Sequence, residues 1–345
     1  MTTRQKGGKG REEQKVIKGL SVLTLPLSER ILKNTVMTAS VLLETPDGQY
    51  IIGKELGRGG SSVVYKGKMV ETNKSGEILA EKDVAIKMLR TDEIDRYVDE
   101  FGKRILVETF SRQAILSVSV RHPNVMRTLD FGFEDHNPFM VMEYFPGKEL
   151  NDIVAENKTL PWEWLGPVMI KVCDGLDAVH GMGIMHRNVS LPNIMVTMEE
   201  GDKDLRPAKE VKVLGFGLAK KMYDEVSGKR LAGEGMVVGA PLYMAPEQIG
   251  LGRDSNIILD QRVDIYAMGA VMYKALTGRF PFPIESGRLV EGLLKRLTEM
   301  PPPPRSLNPD VSPEVEAIIM KAMATKPEDR YQSAMDLRAA IADTL

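Results

Sequence analysis

Gly57-Arg58-Gly59-Gly60-Ser61-Ser62-Val63-Val64-Tyr65 and, further along, Val84-Ala85-Ile86-Lys87 decide the fold. The first is a glycine-rich turn between two β-prone runs, Ile51 to Leu56 and Val63 to Lys66; the second is a β-prone run that ends in a lysine. A glycine turn alone is a weak signal, and here Ser62 stands where a third glycine would complete the GxGxxG spacing. Three later phrases, in this order along the chain, make it strong: His186-Arg187-Asn188 with Asn193, then Gly215-Phe216-Gly217, then Ala245-Pro246-Glu247.

In order and spacing these phrases resemble the signature set of the eukaryotic-type protein kinases. The wording of Gly57 to Gly60, Val63 to Gly67 and Pro327 to Tyr331 is closest to the bacterial Ser/Thr kinases of that family. The resemblance covers about residues 48–343 and implies an α+β, bilobed protein-kinase fold. A small β-rich N-lobe with one helix would span 48–145 and a larger, mainly helical C-lobe 146–345.

Composition agrees with a soluble globular chain: 345 residues, 43% hydrophobic, 27% charged, formal net charge -2. That balance implies neither a nucleic-acid nor a membrane partner. No run of about 18 apolar residues occurs, so no membrane span is expected. One cysteine, Cys173, rules out an internal disulfide and suits a reducing, cytoplasmic setting. Met169, Val172, Cys173, Leu176 and Val179 recur at helical spacing, which makes that thiol a core residue.

Residues 1–19 are polar, basic and glycine-rich and read as a disordered tail, either a solvated end or a basic docking arm. Residues 20–47 are more apolar, and this extension is expected to pack on the N-lobe or on a second protomer, which would make a homodimer. Within it, Val41 to Thr45 and Gln49 to Ile52 flank the turn signal Pro46-Asp47-Gly48 and predict an extra strand beside the first strand of the lobe. Periodic stretches at 166–181, 264–277, 312–324 and 332–343 predict helices of the C-lobe.

By the resemblance, nucleotide would contact Gly57 and Gly59 of the turn, while Leu56, Val64, Ala85 and Met195 sandwich an adenine. Met142 would be the gatekeeper, Glu143 and Phe145 would offer hinge backbone, and Lys87 would reach the α- and β-phosphates. The N-lobe helix of the family supplies a carboxylate that holds this lysine. Counting back without gaps from His122-Pro123-Asn124, that position falls on Gln113, and a slip of one residue on Arg112. Glu108 lies about 140° away around the helix, so a register shift would be needed to recruit it.

The family's chemical positions are altered in the same way elsewhere. Its catalytic aspartate is Asn188, an amide that is no base near neutral pH. The lysine two residues on is Ser190, and the aspartate that holds magnesium is Gly215; Asn193 remains as a neutral ligand. From Phe216 to Glu247 there is one serine, Ser227, and no threonine for Arg187 to clamp once phosphorylated. The architectural positions survive: Glu247 with Arg330 as a buried ion pair, and Asp264 supporting the His186-Arg187 loop.

This pattern of intact frame and altered chemistry suggests a pseudokinase, expected to be no enzyme but a regulatory scaffold for protein partners, such as an active kinase or its substrate. No cofactor would be required, and ATP or ADP would bind weakly, if at all, without magnesium. The alternative is an atypical nucleotide-dependent transferase, a residual Ser/Thr kinase or a transferase of another group.

Overall fold

Alternation along the strands sets the geometry of the first lobe. The computed structural model describes residues 42–59, 61–72, 78–91, 99–197, 205, 208–215, 240–249, 259–283 and 289–345. The expected tail 1–19, the extension as far as Val41, and Gly60, Phe216, Gly217 and Ser227 lie outside the described residues. Six strands, β1 (Leu42–Thr45), β2 (Gly48–Arg58), β3 (Ser62–Thr72), β4 (Ile78–Leu89), β5 (Thr128–Glu134) and β6 (Asn137–Glu143), form a sheet ordered β1-β2-β3-β4-β6-β5. Every pairing is antiparallel.

Successive side chains of a strand point to opposite faces. On β4, Val84, Ile86 and Met88 therefore join Tyr50, Ile52, Tyr65, Phe139 and Val141 in one core. Ala85 and Leu89 point the other way, into a second core with Met140, Met142 and Phe110 of helix α1 (Glu100–Ser119). Lys87 falls between Ala85 and Leu89, so the same alternation sends it toward α1. The helix begins where Asp99 caps it, accepting a hydrogen bond from the Gly102 N–H at 2.8 Å.

Strand β1 is the extra strand read from the Pro46-Asp47-Gly48 turn, with Leu43 opposite Tyr50. It is tied down by Asp130 of β5, a buried carboxylate that accepts hydrogen bonds from the Tyr50 hydroxyl at 2.6 Å and from the Thr45 hydroxyl. Burial and that carboxylate push the Tyr50 phenol well above its ordinary pKa. The β5–β6 hairpin turns through Asp135 and His136, both at positive φ (47° and 68°), the geometry of a two-residue primed turn.

The second lobe is helical: α2 (Leu150–Asn157), α3 (Trp162–His180), α4 (Pro246–Ile249), α5 (Arg262–Thr277), α6 (Leu289–Thr298), α7 (Pro313–Ala322) and α8 (Ala334–Ala342). Helix α5 is buried nearly all round, which makes it the axis of this lobe. Strands β7 (Lys148–Glu149), β8 (Ile194–Val196) and β9 (Val211–Val213) make a small sheet on the side facing the first lobe. Strand β9 joins the lobes: Met126 N–H donates to Val213 O, and Val213 N–H to Asn124 O, both at 2.9 Å. Among the described residues no helix is long and apolar enough to cross a membrane.

Arg330, 2% exposed, fastens α4 to the end of the chain. Its guanidinium donates to both oxygens of Glu247 (2.6 and 2.8 Å) and to the carbonyls of Ala324, Thr325 and Arg262. The bidentate geometry satisfies both charges; removing the arginine strands a carboxylate and three carbonyls. We expect Arg330→Ala to lower the unfolding free energy by about 3–5 kcal/mol, read from urea denaturation. A loss within about 0.5 kcal/mol, the range of ordinary surface changes, would refute this account of the pair.

Candidate active site

The cleft between the lobes collects most of the residues expected there. Ala85, Met142 and Phe145 are buried in one apolar cluster, with Val64 and Met195 packed against it. Leu56 is not part of that cluster and is 42% exposed. At the hinge, the Glu143 carboxylate accepts from Arg127 N–H at 2.9 Å and Lys212 Nζ at 2.7 Å, which fixes the strand end against the second lobe. The Phe145 carbonyl accepts from Gly147 N–H at 2.9 Å, while the Phe145 N–H has no partner among the described residues. A backbone donor left open beside an apolar slot is a ready partner for a heterocycle.

The glycines of the turn are not demanded by the fold. A Cβ at Gly57 would meet nothing within 4 Å, and one at Gly59 only ordinary contacts at 3.6 Å. Glycine in such a place weakens a strand, so room for a ligand close to the backbone is a better reason for it than packing.

Lys87 is half-buried and makes no hydrogen bond or ion pair among the described residues. Burial pushes its ammonium pKa down, opposed by the Glu149 carboxylate. The motifs give no hint of Glu149. It sits on β7 opposite Met195, and its own pKa is raised by burial and by Asp152, with Lys87 working the other way. The local signal is slight: Glu149 holds the position before α2, yet its side chain does not cap that helix.

On α1 the two counts fall on different surfaces. Gln113 is 3% exposed and faces the cleft, whereas Arg112 is exposed. Glu108 pairs with Arg104 at 3.1 Å. The Gln113 Oε1 and, one turn earlier, the Thr109 hydroxyl are buried without a hydrogen-bond partner among the described residues.

Gly215 adopts φ +79°, a left-handed conformation in which a Cβ would stand 3.3 Å from Asn193 Oδ1 and 3.6 Å from Gln113 Nε2. Asn193 Nδ2 donates to the Asn188 carbonyl at 2.8 Å and to the Ser190 hydroxyl at 3.1 Å, so its amide oxygen is the end turned toward Gly215. Gln113, Asn188, Ser190, Asn193 and Gly215 thus come together around a space with no carboxylate among them. Magnesium prefers anionic oxygen ligands in an octahedral shell. A neutral amide oxygen beside a glycine does not meet that need, and the described residues hold no group of three or more His, Cys, Asp or Glu suited to a metal. The residues present do not fit the metal that the resemblance implied.

Asp264 holds the loop that carries Asn188. It is fully buried and accepts from the backbone N–H of His186 (2.9 Å) and Arg187 (2.7 Å), with His180 Nε2 at 2.7 Å. Arg187 is kept at φ +60°, a conformation a non-glycine residue holds only under such constraint. Burial opposes the Asp264 charge, but the hydrogen bonds from His180 and the His186 backbone outweigh it and hold its pKa below the usual range. Beyond the loop, Asn188 lines a small cleft with Tyr243, Met244, Gln248, Val263 and Ala267.

The model of the protein kinase domain matches residues 50–340, and the chain belongs to that family. It is 35% identical over 283 residues to the probable serine/threonine-protein kinase CPE1738 of Clostridium perfringens, covering 82% of this chain and 36% of that protein. It is 34% identical over 302 residues to serine/threonine-protein kinase pkn3 of Myxococcus xanthus, covering 86% and 52%. Against PknB of Mycobacterium leprae the identity is 32% over 295 residues, covering 84% and 42%. The chain thus spans between a third and about half of the length of these relatives. The fold resembles a crystal structure of Rad53 1-466 in complex with AMP-PNP (TM-score 0.56, 20% identity), covering 87% of this chain and 64% of that one.

These relatives correct the expectation of a catalytically inactive scaffold with weak or absent nucleotide binding: proteins about one-third identical over more than four-fifths of the chain are named as kinases. The expectation rested on each of the changes at Asn188, Ser190 and Gly215 being severe enough by itself to leave a poor enzyme. Groups that serve one transition state do not contribute independent factors, and phosphoryl transfer depends mainly on positioning and electrostatics.

Burial pushes the His186 imidazole down from 6.5 to about 4. The unfolded chain therefore takes up a proton that the folded chain refuses, so this contribution to stability is full above pH 6.5 and lost as pH falls toward 4. We expect a lower urea midpoint at about pH 5 than at about pH 7.5, and a smaller difference in His186→Gln. An unchanged pH dependence in that variant would contradict the assignment.

Proposed function

We propose that the chain is an atypical nucleotide-dependent phosphotransferase that acts on serine or threonine hydroxyls. The observation that carries this reading is its identity of about one-third, over more than four-fifths of the chain, with proteins named as Ser/Thr kinases. The apolar slot, the open Phe145 N–H and the glycines that the fold does not require support an adenine nucleotide as the donor.

In the proposed reaction the bond from the γ-phosphorus to its bridging oxygen breaks as the bond to the acceptor hydroxyl oxygen forms. The nucleoside diphosphate leaves, and the hydroxyl proton passes to solvent. Lys87 takes the charge of the leaving phosphates. Asn188, at the edge of the small cleft with Tyr243 and Met244, orients the hydroxyl by accepting its hydrogen bond without taking its proton. In a loose transition state the nucleophile keeps its proton until late, so this orientation retains part of what a base would provide.

The test is transfer of label from γ-labelled ATP to the chain itself or to Ser/Thr peptides, with magnesium, with manganese and with EDTA. Slow incorporation that Lys87→Ala abolishes is expected. Asn188→Asp should raise the rate, by up to about 10²–10⁴-fold if a true base is restored. No incorporation above Lys87→Ala under any of the three conditions would overturn the reading.

A further inference from the structure

The phosphate end of the cleft has an unusual charge balance. Lys87 brings one positive charge, and the groups that frame the space beyond it, Gln113, Asn188, Ser190, Asn193 and Gly215, are all neutral. Glu149 is the carboxylate that acts on Lys87, and it belongs to β7 on the other side of the slot, opposite Met195. A polyphosphate anion entering this space meets a cation that makes no hydrogen bond or ion pair among the described residues, with the Glu149 carboxylate acting on it from further away. A metal-complexed nucleotide brings less negative charge to the same lysine, together with an ion for which the pocket offers one neutral amide oxygen.

The space beside Gly215 reads the same way. Both the Gln113 Nε2 and the Asn193 Oδ1 border it, about 3.6 and 3.3 Å from where a Cβ would lie. A donor and an acceptor bordering one space suit a water molecule, which can accept from one and donate to the other. They do not suit a divalent ion, which the amide NH₂ would oppose. The Gln113 Oε1, buried and without a hydrogen-bond partner among the described residues, adds a further acceptor on the helix side, where the family pattern would place the carboxylate that holds Lys87.

We infer that the cleft takes its nucleotide as the metal-free polyphosphate anion, with Lys87 as the charge that holds it. This rests on the phosphotransferase reading and specifies the form of its donor substrate. Replacing the carboxylates by neutral groups serves this end: a carboxylate at 113 would pair with Lys87, and one at 215 would repel a phosphate that arrives without a metal. Among the described residues the titratable groups shown to act on one another here are Lys87, Glu149 and Asp152, of which Lys87 is the cation.

Calorimetric titration of ATP into the full chain, with EDTA and with excess magnesium at matched ionic strength, tests this. Binding in EDTA should be at least as tight as in magnesium, and Lys87→Ala should weaken it by about tenfold or more. Gln113→Glu should weaken metal-free binding, and Gly215→Asp should reverse the preference toward magnesium. Aspartate tolerates left-handed backbone, and circular dichroism would check that this variant folds. Magnesium tightening wild-type binding by about tenfold or more would overturn the inference and leave the phosphotransferase reading standing. Binding under neither condition would overturn both.

Discussion

The buried carboxylate of Asp264 fixes the loop on which the active cleft is built. Its two oxygens take the backbone N–H groups of His186 and Arg187, and His180 approaches from α3. Without these contacts Arg187 has no reason to remain at positive φ, and Asn188 loses its direction. From Asn188 the order passes to Asn193 through its amide, and from Asn193 to Gly215 through the Leu214 N–H bond to its carbonyl at 2.8 Å. Just before Gly215, β9 is bonded to the segment after α1, so the helix bearing Gln113 is placed by the same chain of contacts.

On this rigid floor the altered side chains form one consistent environment. Gln113, Asn188 and Gly215 stand where the family pattern has carboxylates, and Ser190 where it has a lysine, so all four positions are neutral. The slot for the base, the open hinge donor and Lys87 itself stay in place. A site that had lost its ligand would have no physical reason to keep glycine at Gly57 and Gly59, where the fold leaves room for side chains.

Much of the fold was legible because burial imposes a period on the sequence. The strands around Val84 to Lys87 alternate, and the four C-lobe helices show helical spacing over long stretches, observed as α3, α5, α7 and α8. Helices α2 and α6 were not among the periodic stretches, and the β5–β6 turn uses Asp135 and His136 with no glycine to announce it. In the site, motif order located Lys87, Asn188, Asn193 and Gly215. It could not find Glu149, whose relation to Lys87 arises from pairing between β7 and β8, distant in sequence from β4. Leu56, expected in the slot from its strand position, is exposed and outside its cluster. The inactive reading was overturned by relatives named as kinases, because residue identities alone report which groups are missing and not what the remaining ones can do.

The charge balance of the cleft can be read at Lys87 itself. Amine acylation of the folded chain, followed by mass spectrometry of the peptide containing Lys87, measures whether phosphate covers its ammonium. The account predicts that ATP in EDTA protects Lys87 at least as well as ATP with magnesium, while lysines outside the cleft such as Lys68 and Lys148 are labelled equally in both. Protection of Lys87 that appears only when magnesium is added would contradict it.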